Sequence, residues 1–131
     1  MFSIKQEVLE RLYKHAQEDS PVEACGYVAG SEGIADRSYK MVNVDNAEDH
    51  FTLDPKEQFA KIKQMREEGV KAMAVYHSHP ASPARPSEED IKLAYDPEIS
   101  YIIVSLEKGE PYAKSFKIRQ GNVEPEEIQV L

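Results

Sequence analysis

Residues 70–90, "VKAMAVYHSHPASPARPSEED", carry most of the information about the structure. Residues 70–76 are apolar except for Lys71, which is typical of a buried β-strand, and His77 and His79 stand at its C-terminal end. Successive side chains of a strand point to opposite faces, so both imidazoles lie on one face, with Cα atoms about 6.6 Å apart. The stretch therefore predicts a strand that ends in two histidines pointing the same way.

This histidine pair has two interpretations. Two imidazoles at strand spacing can bind one metal ion, because Zn–N bonds are about 2.0–2.1 Å long. An H-x-H pair also occurs by chance on protein surfaces, and the dipeptide alone leaves that alternative open. Nothing near His15 or His50 suggests metal binding.

Ser87 and Asp90 follow the histidines as S-x-x-D before an apolar run. This pattern predicts a helix with Ser87 as N-cap and Asp90 completing a capping box. The helix begins eight residues after His79, and three prolines stiffen the connection, so the helix start stays close to the histidines. The helix dipole keeps a first-turn carboxylate ionised, as a metal ligand must be. His77, His79 and Asp90 could thus supply the three protein ligands of a catalytic zinc site, although capping alone also explains Ser87 and Asp90.

The rest of the chain alternates between helical and extended patterns. Capping boxes are expected from Ser3 with Gln6 and from Asp54 with Glu57. Helices are predicted at 4–16, 54–69 and 87–95, and strands at 24–29, 34–44, 70–76, 100–106, 111–118 and, more briefly, within 123–130. The sum is an α/β (α+β) fold in one domain, residues 1–131, with a mixed sheet and helices packed against it.

Composition narrows the possible functions. The chain has 131 residues, is 40% hydrophobic and 31% charged, and suits a soluble globular domain. A net charge of −8 without a Lys and Arg cluster argues against nucleic acid. No apolar run reaches the roughly 18 residues of a membrane span, and no signal peptide is evident, so a cytoplasmic protein is expected. The single cysteine, Cys25, allows no internal disulfide and is expected to be a buried structural thiol.

Five positions together resemble the motif of the JAMM (MPN-plus) metalloprotease family. The motif is a distant upstream glutamate, then H-[S/T]-H-P, about six residues, and S-x-x-D. The chain has Glu23 in "PVEACGYVAG", "HSHP" at 77–80, six residues, and then Ser87 and Asp90. The segments "HFTLDPKE" and "YIIVSL" also resemble family segments, so the resemblance covers most of the chain. It implies a curved, mixed sheet flanked by helices, similar to the cytidine-deaminase-like architecture.

The resemblance also implies a role for each motif residue. His77, His79 and Asp90 would bind one Zn²⁺ per chain with a water as fourth ligand. Glu23 would act as general base and then general acid, and Ser87 would stabilise the oxyanion. Without the resemblance, spacing does not distinguish Glu23 among the 24 acidic residues.

The family hydrolyses amide or isopeptide bonds, often at the C-terminal glycine of a ubiquitin-like protein. Only 53 residues separate Glu23 from His77, which favours the compact prokaryotic members. Some of those act on sulfur-carrier proteins and release cysteine or another cargo.

Two alternatives remain, a non-catalytic scaffold and a DNA-repair-associated relative. The complete motif argues against the first, and the "EACG" segment and absence of basic patches argue against the second. The oligomeric state is left open.

Overall fold

Three helices pack against one mixed sheet of eight strands in the computed structural model, which describes all 131 residues. In chain order the elements are β1 (Phe2–Ile4), α1 (Gln6–Asp19), β2 (Cys25–Ser31), β3 (Ile34–Met41), α2 (Pro55–Glu67), β4 (Lys71–His79), α3 (Glu88–Lys92), β5 (Ser100–Ser105), β6 (Tyr112–Arg119), β7 (Asn122–Glu126) and β8 (Ile128–Val130). No helix has the length and apolarity needed to cross a membrane.

The sheet is strongly curved. Its strand order is β7-β6-β5-β4-β2-β3-β1-β8, yet β7 and β8 are separated along the chain by Glu127 alone. One residue spans only about 3.6 Å, so the two edges of the sheet must meet and the sheet is nearly closed. The N–H of Phe2 donates to the Glu127 carbonyl at 2.7 Å beside this junction. The predicted mixed, curved sheet with flanking helices is confirmed.

The central strand β4 presents different residues to the two faces of the sheet. It runs antiparallel to β2 and parallel to β5. Ala74 and Tyr76 face α1, where a core of twelve buried residues includes Leu12 and Ile102. Fully burying one such side chain stabilises the fold by about 1.5–3 kcal/mol. The alternate residues of β4, His77 and His79 among them, lie on the face covered by α2 and α3.

The start of the chain differs from its prediction. Residues 2–4 form β1, which pairs in parallel with β3 and with β8, and α1 begins at Gln6 with Lys5 as an N-cap that makes no side-chain cap bond. The Ser3–Gln6 capping box is therefore wrong. The Ser3 hydroxyl donates instead to Gln129 at 3.1 Å, because strand pairing places it beside β8.

The second helix begins as predicted, with one change in its cap. Asp54 accepts from the Lys56 N–H, and Pro55 is the first helical residue. Glu57 does not complete a capping box, since its carboxylate accepts from the Val42 N–H at 2.9 Å, beyond the end of β3. The helix is thereby tied to the strand that precedes it.

Other element boundaries also differ from their predictions. The strand β3 ends at Met41, three residues early, α3 ends at Lys92, and the expected final strand is divided into β7 and β8 on opposite edges of the sheet. Cys25 is fully buried, and burial raises the pKa of its thiol to about 12, which agrees with a structural role.

Candidate metal centre

The side chains of His77, His79 and Asp90 meet on one face of the sheet. The two Nε2 atoms lie 3.2 Å apart, and they lie 3.1 Å and 3.2 Å from Oδ2 of Asp90. A tetrahedral ion with bonds of about 2.0–2.1 Å holds its ligand atoms about 3.3 Å apart. The three atoms therefore have the spacing of three ligands of one zinc ion. This triangle of ligand atoms is called the His–His–Asp triangle below.

Both histidines are buried and held by neighbouring groups. The Nδ1 of His79 lies 2.8 Å from the Pro83 carbonyl and donates its proton there, so in the neutral ring Nε2 has the free electron pair that a metal ion needs. The ring of Phe51 stacks on His77, with ring centroids 4.7 Å apart and an angle of 27° between the planes. Each imidazole is therefore oriented before any ion binds.

Asp90 belongs to the triangle and to the start of α3. Its N–H donates to the Ser87 hydroxyl at 3.0 Å, and its Oδ2 accepts from the Ser87 N–H at 2.9 Å. The predicted capping box is thus confirmed. Burial alone would raise the pKa of Asp90, but hydrogen bonds from both histidines and from the Ser87 backbone lower it well below its usual value. The carboxylate is therefore ionised, as a metal ligand requires.

Glu23 lies just before β2, and its carboxyl group lacks a hydrogen-bond partner. The residue is 3% exposed, and Oε1 is buried and unpaired, although nearly all buried polar atoms in proteins are hydrogen-bonded. Burial raises the pKa of this carboxyl to about 8, while His79 lowers it and Asp90 raises it further. Glu23 therefore lies within electrostatic reach of the triangle and has a free oxygen.

The metal-free protein should lose stability as the pH rises, because of Glu23. The pKa is about 8 in the folded chain, against an ordinary value of 4.5, so between these values the folded state holds more protons than the unfolded state. Unfolding free energy then falls with pH, by roughly 3–5 kcal/mol between pH 4 and pH 8. Denaturant unfolding in the presence of a chelator measures this change.

Glu23→Gln is the control for this dependence. The variant has no titrating group at the position, so its stability should change less than that of the wild type over the same pH range. Parallel curves for the two proteins would show that Glu23 is not the source.

An apolar groove of about 390 Å³ opens beside the triangle. It is bordered by His77 and Asp90, and its floor and walls include Tyr27, Phe51, Leu53, Val75, Tyr101 and Ile103. At its rim, Leu93 is 43% and Tyr95 is 81% exposed. The groove is therefore suited to a largely apolar segment that lies beside the metal centre.

The five motif residues surround one place in the fold; of the two other histidines, His15 lies apart from it, and His50 lines the groove beside it. His15 is on the opposite face, where it contacts the Tyr76 hydroxyl at 2.7 Å, and His50 pairs with Asp45 and Asp49. No pattern in the sequence assigns a role to Phe51. Its only signal was its position in "HFTLDPKE", a segment that resembles the family.

Comparison with known proteins identifies the family. The family model described as prokaryotic homologs of the JAB domain matches residues 5–119. The CysO-cysteine peptidase of Mycobacterium tuberculosis (strain H37Rv) is 33% identical over 131 residues, covering 98% of this chain and 90% of that protein. A desampylase of Pyrococcus furiosus is 30% identical over 107 residues, covering 82% and 75%.

A solved structure supports the same assignment. The crystal structure of a JAB1/MPN domain protein from Archaeoglobus fulgidus is 25% identical and covers 99% of this chain and 97% of that chain, with a TM-score of 0.70. The curved sheet and the motif residues on it agree with this likeness. The chain belongs to the prokaryotic JAB family, the compact branch of the JAB/MPN proteins that the motif predicted.

Proposed function

We propose that the chain is a zinc-dependent peptidase of the cytoplasm that cleaves the amide bond after the C-terminal glycine of a ubiquitin-like or sulfur-carrier protein. The observation that carries the proposal is the unpaired, buried carboxyl of Glu23, which interacts electrostatically with His79 and Asp90 of the His–His–Asp triangle. The names of the relatives, a CysO-cysteine peptidase and a desampylase, support this substrate class. We expect about one zinc ion per chain.

Different residues of the chain would bind the metal and transfer the proton. His77, His79 and Asp90 would hold zinc, which when bound lowers the pKa of water to about 7 and polarises a carbonyl oxygen. Glu23 takes a proton from the water that attacks the scissile carbonyl carbon, and it later gives this proton to the leaving amine. A carboxyl whose pKa lies above its ordinary value suits both tasks, because it releases and regains a proton near neutral pH.

Ser87 can donate a hydrogen bond in addition to capping α3. Its oxygen accepts from the Asp90 N–H, and this use leaves its single hydroxyl proton free. The proton would stabilise the negative charge that develops on the scissile carbonyl oxygen. Capping and oxyanion stabilisation are therefore compatible in one side chain.

Ser87→Ala should reduce catalysis more than it reduces stability. Loss of an oxyanion donor costs about 2.7–4 kcal/mol of transition-state stabilisation, or 10²–10³ in kcat, whereas loss of an N-cap costs about 1 kcal/mol of unfolding free energy. Turnover and denaturant unfolding measure the two effects separately.

Ser82→Ala is the matched control, since Ser82 is an exposed serine in the same connection. It should leave turnover unchanged. If Ser87→Ala loses stability alone and keeps its turnover, Ser87 is only a helix cap.

The groove would receive the tail of the carrier protein. An extended peptide fits a groove of this kind by placing alternate side chains in apolar pockets. His77 and Asp90 line the groove, so the last residues of the tail would lie next to the triangle. The globular part of the carrier would remain outside, near the exposed rim.

The experiment that tests the proposal uses ubiquitin-like carriers with a C-terminal amino-acid adduct or an isopeptide-linked lysine. Each is incubated with the zinc-loaded protein, and intact mass reports the product. We expect a carrier with a free terminal glycine carboxylate, and no such product with a chelator. A protein that binds zinc but cleaves none of these conjugates would favour the non-catalytic scaffold.

A further inference from the structure

The backbone around Glu23 is fully hydrogen-bonded even though the residue lies outside the strands and helices. Its N–H donates to the Ala47 carbonyl at 2.9 Å, and its carbonyl accepts from Nδ2 of Asn43 at 3.1 Å. The next N–H, of Ala24, donates to the Ser78 hydroxyl at 2.7 Å. Because Oε1 of Glu23 has no partner, these backbone bonds are what direct the carboxyl group.

Asn43 connects Glu23 to the loop of residues 43–53. The side chain is 8% exposed, and its Nδ2 contacts the His50 carbonyl at 3.0 Å and the Ala47 carbonyl at 3.4 Å, besides that of Glu23. Its Oδ1 accepts from the N–H groups of Asp45 and Thr52, both at 3.2 Å. A rotated amide would set oxygen against three carbonyls, so these contacts fix its orientation.

The same loop forms part of the active centre. It contributes Phe51, which stacks on His77, and it lines the groove from His50 to Leu53. One buried amide thus joins the backbone of Glu23, the loop over His77 and a wall of the groove. Asn43 itself makes no contact with the His–His–Asp triangle among the hydrogen bonds of the structure.

We propose that Asn43 is a positioning residue that holds the Glu23 carboxyl in place for proton transfer. Its side-chain amide links the backbone carbonyl of Glu23 to the loop that covers His77. The inference rests on the proposed function, since Glu23 is there the group that moves the proton. Asparagine is suited to the position because it offers both N–H donors and an acceptor. Aspartate has the same shape and keeps the acceptor, but it would place negative charge against three carbonyl oxygens.

Asn43→Asp therefore tests the inference, with Asn46→Asp as the matched control. Asn46 is exposed, lies in the same loop, and makes no side-chain hydrogen bond, so the same change there adds a charge to the loop without breaking such a bond. We expect kcat of Asn43→Asp to fall by about 10²-fold, the order of loss that a misplaced catalytic group causes. KM should change less than kcat, and zinc content should remain that of the wild type. Asn46→Asp should keep wild-type kcat and KM.

A merely structural role for Asn43 predicts different results. A folded, zinc-loaded Asn43→Asp with wild-type kcat would overturn the inference. A loss confined to KM would also overturn it, because Asn43 would then shape the groove without directing Glu23.

Hydrogen exchange of the wild-type chain keeps the inference testable if the variant does not fold. The amides of Asp45 and Thr52, which donate to Oδ1 of Asn43, should exchange more slowly than those of Glu48 and Asp49, which have no backbone partner in this loop. Equal rates would show that the bonds of Asn43 do not persist in solution and would overturn the inference. Absence of cleavage by the wild-type chain would count against the proposed function, whereas exchange reports on Asn43 separately.

Discussion

Asp90→Ala is expected to lose zinc and hydrolytic activity together. Asp90 supplies the only carboxylate of the His–His–Asp triangle, and two buried imidazoles without it offer too few ligands for a stable zinc site. Zinc content should fall from about one ion per chain to nearly none, and turnover should fall to the uncatalysed background. Metal analysis of the purified variant and a conjugate-cleavage assay measure both quantities.

Two controls separate metal binding from the other roles of Asp90. Glu88→Ala removes a charge from the first turn of the same helix, where the side chain is exposed, and should retain zinc. Ser87→Ala breaks the capping box without removing a ligand, and it should retain zinc as well. A variant Asp90→Ala that still holds one zinc ion would show that the triangle is not the metal site.

Glu23→Gln is expected to reduce kcat by roughly 10²–10⁴-fold, the range typical of a lost general acid–base group. The amide has nearly the same shape as the carboxyl group but cannot take up a proton at neutral pH. Zinc content should stay unchanged, since Glu23 is outside the triangle. Single-turnover cleavage of a carrier conjugate, together with metal analysis, measures the loss.

Glu48→Gln is the control for this variant, because Glu48 is an exposed acid whose side chain forms no hydrogen bond or ion pair. It should cleave at the wild-type rate. Full activity in Glu23→Gln would mean that another group moves the proton, and the role given to Glu23 would be wrong.

The sequence predicted those parts of the fold that have local signals. The apolar run before His77 indicated β4, Asp54 and Pro55 indicated the start of α2, and S-x-x-D indicated the cap of α3. The strands β1 and β8 had no such signal, because each has three residues. The strand β8 forms because it pairs with β1 across the length of the chain, and β1 pairs with β3 as well. No periodicity develops over so few residues.

The residues of the candidate site also differ in whether a local sequence signal predicts them. The geometry of His77 and His79 followed from strand parity, and the position of Asp90 from its spacing to Ser87. Glu23 was singled out only by resemblance, because an acidic residue before a strand is ordinarily a surface residue. Its burial without a partner depends on the loop that folds over it from residues 43–53. Asn43 was predicted to be part of a strand, and its five contacts became evident only when that loop was placed.

The shared oxygen of Asp90 couples ion occupancy to conformational order. Oδ2 contacts both histidines and also the Ser87 N–H that begins α3. A helix of five residues is too short to be stable alone, so thermodynamic linkage requires that whatever strengthens the triangle also orders this turn. The turn precedes Leu93 and Tyr95 at the rim of the groove. Binding of an ion at the triangle would thereby also order the residues at the rim of the groove.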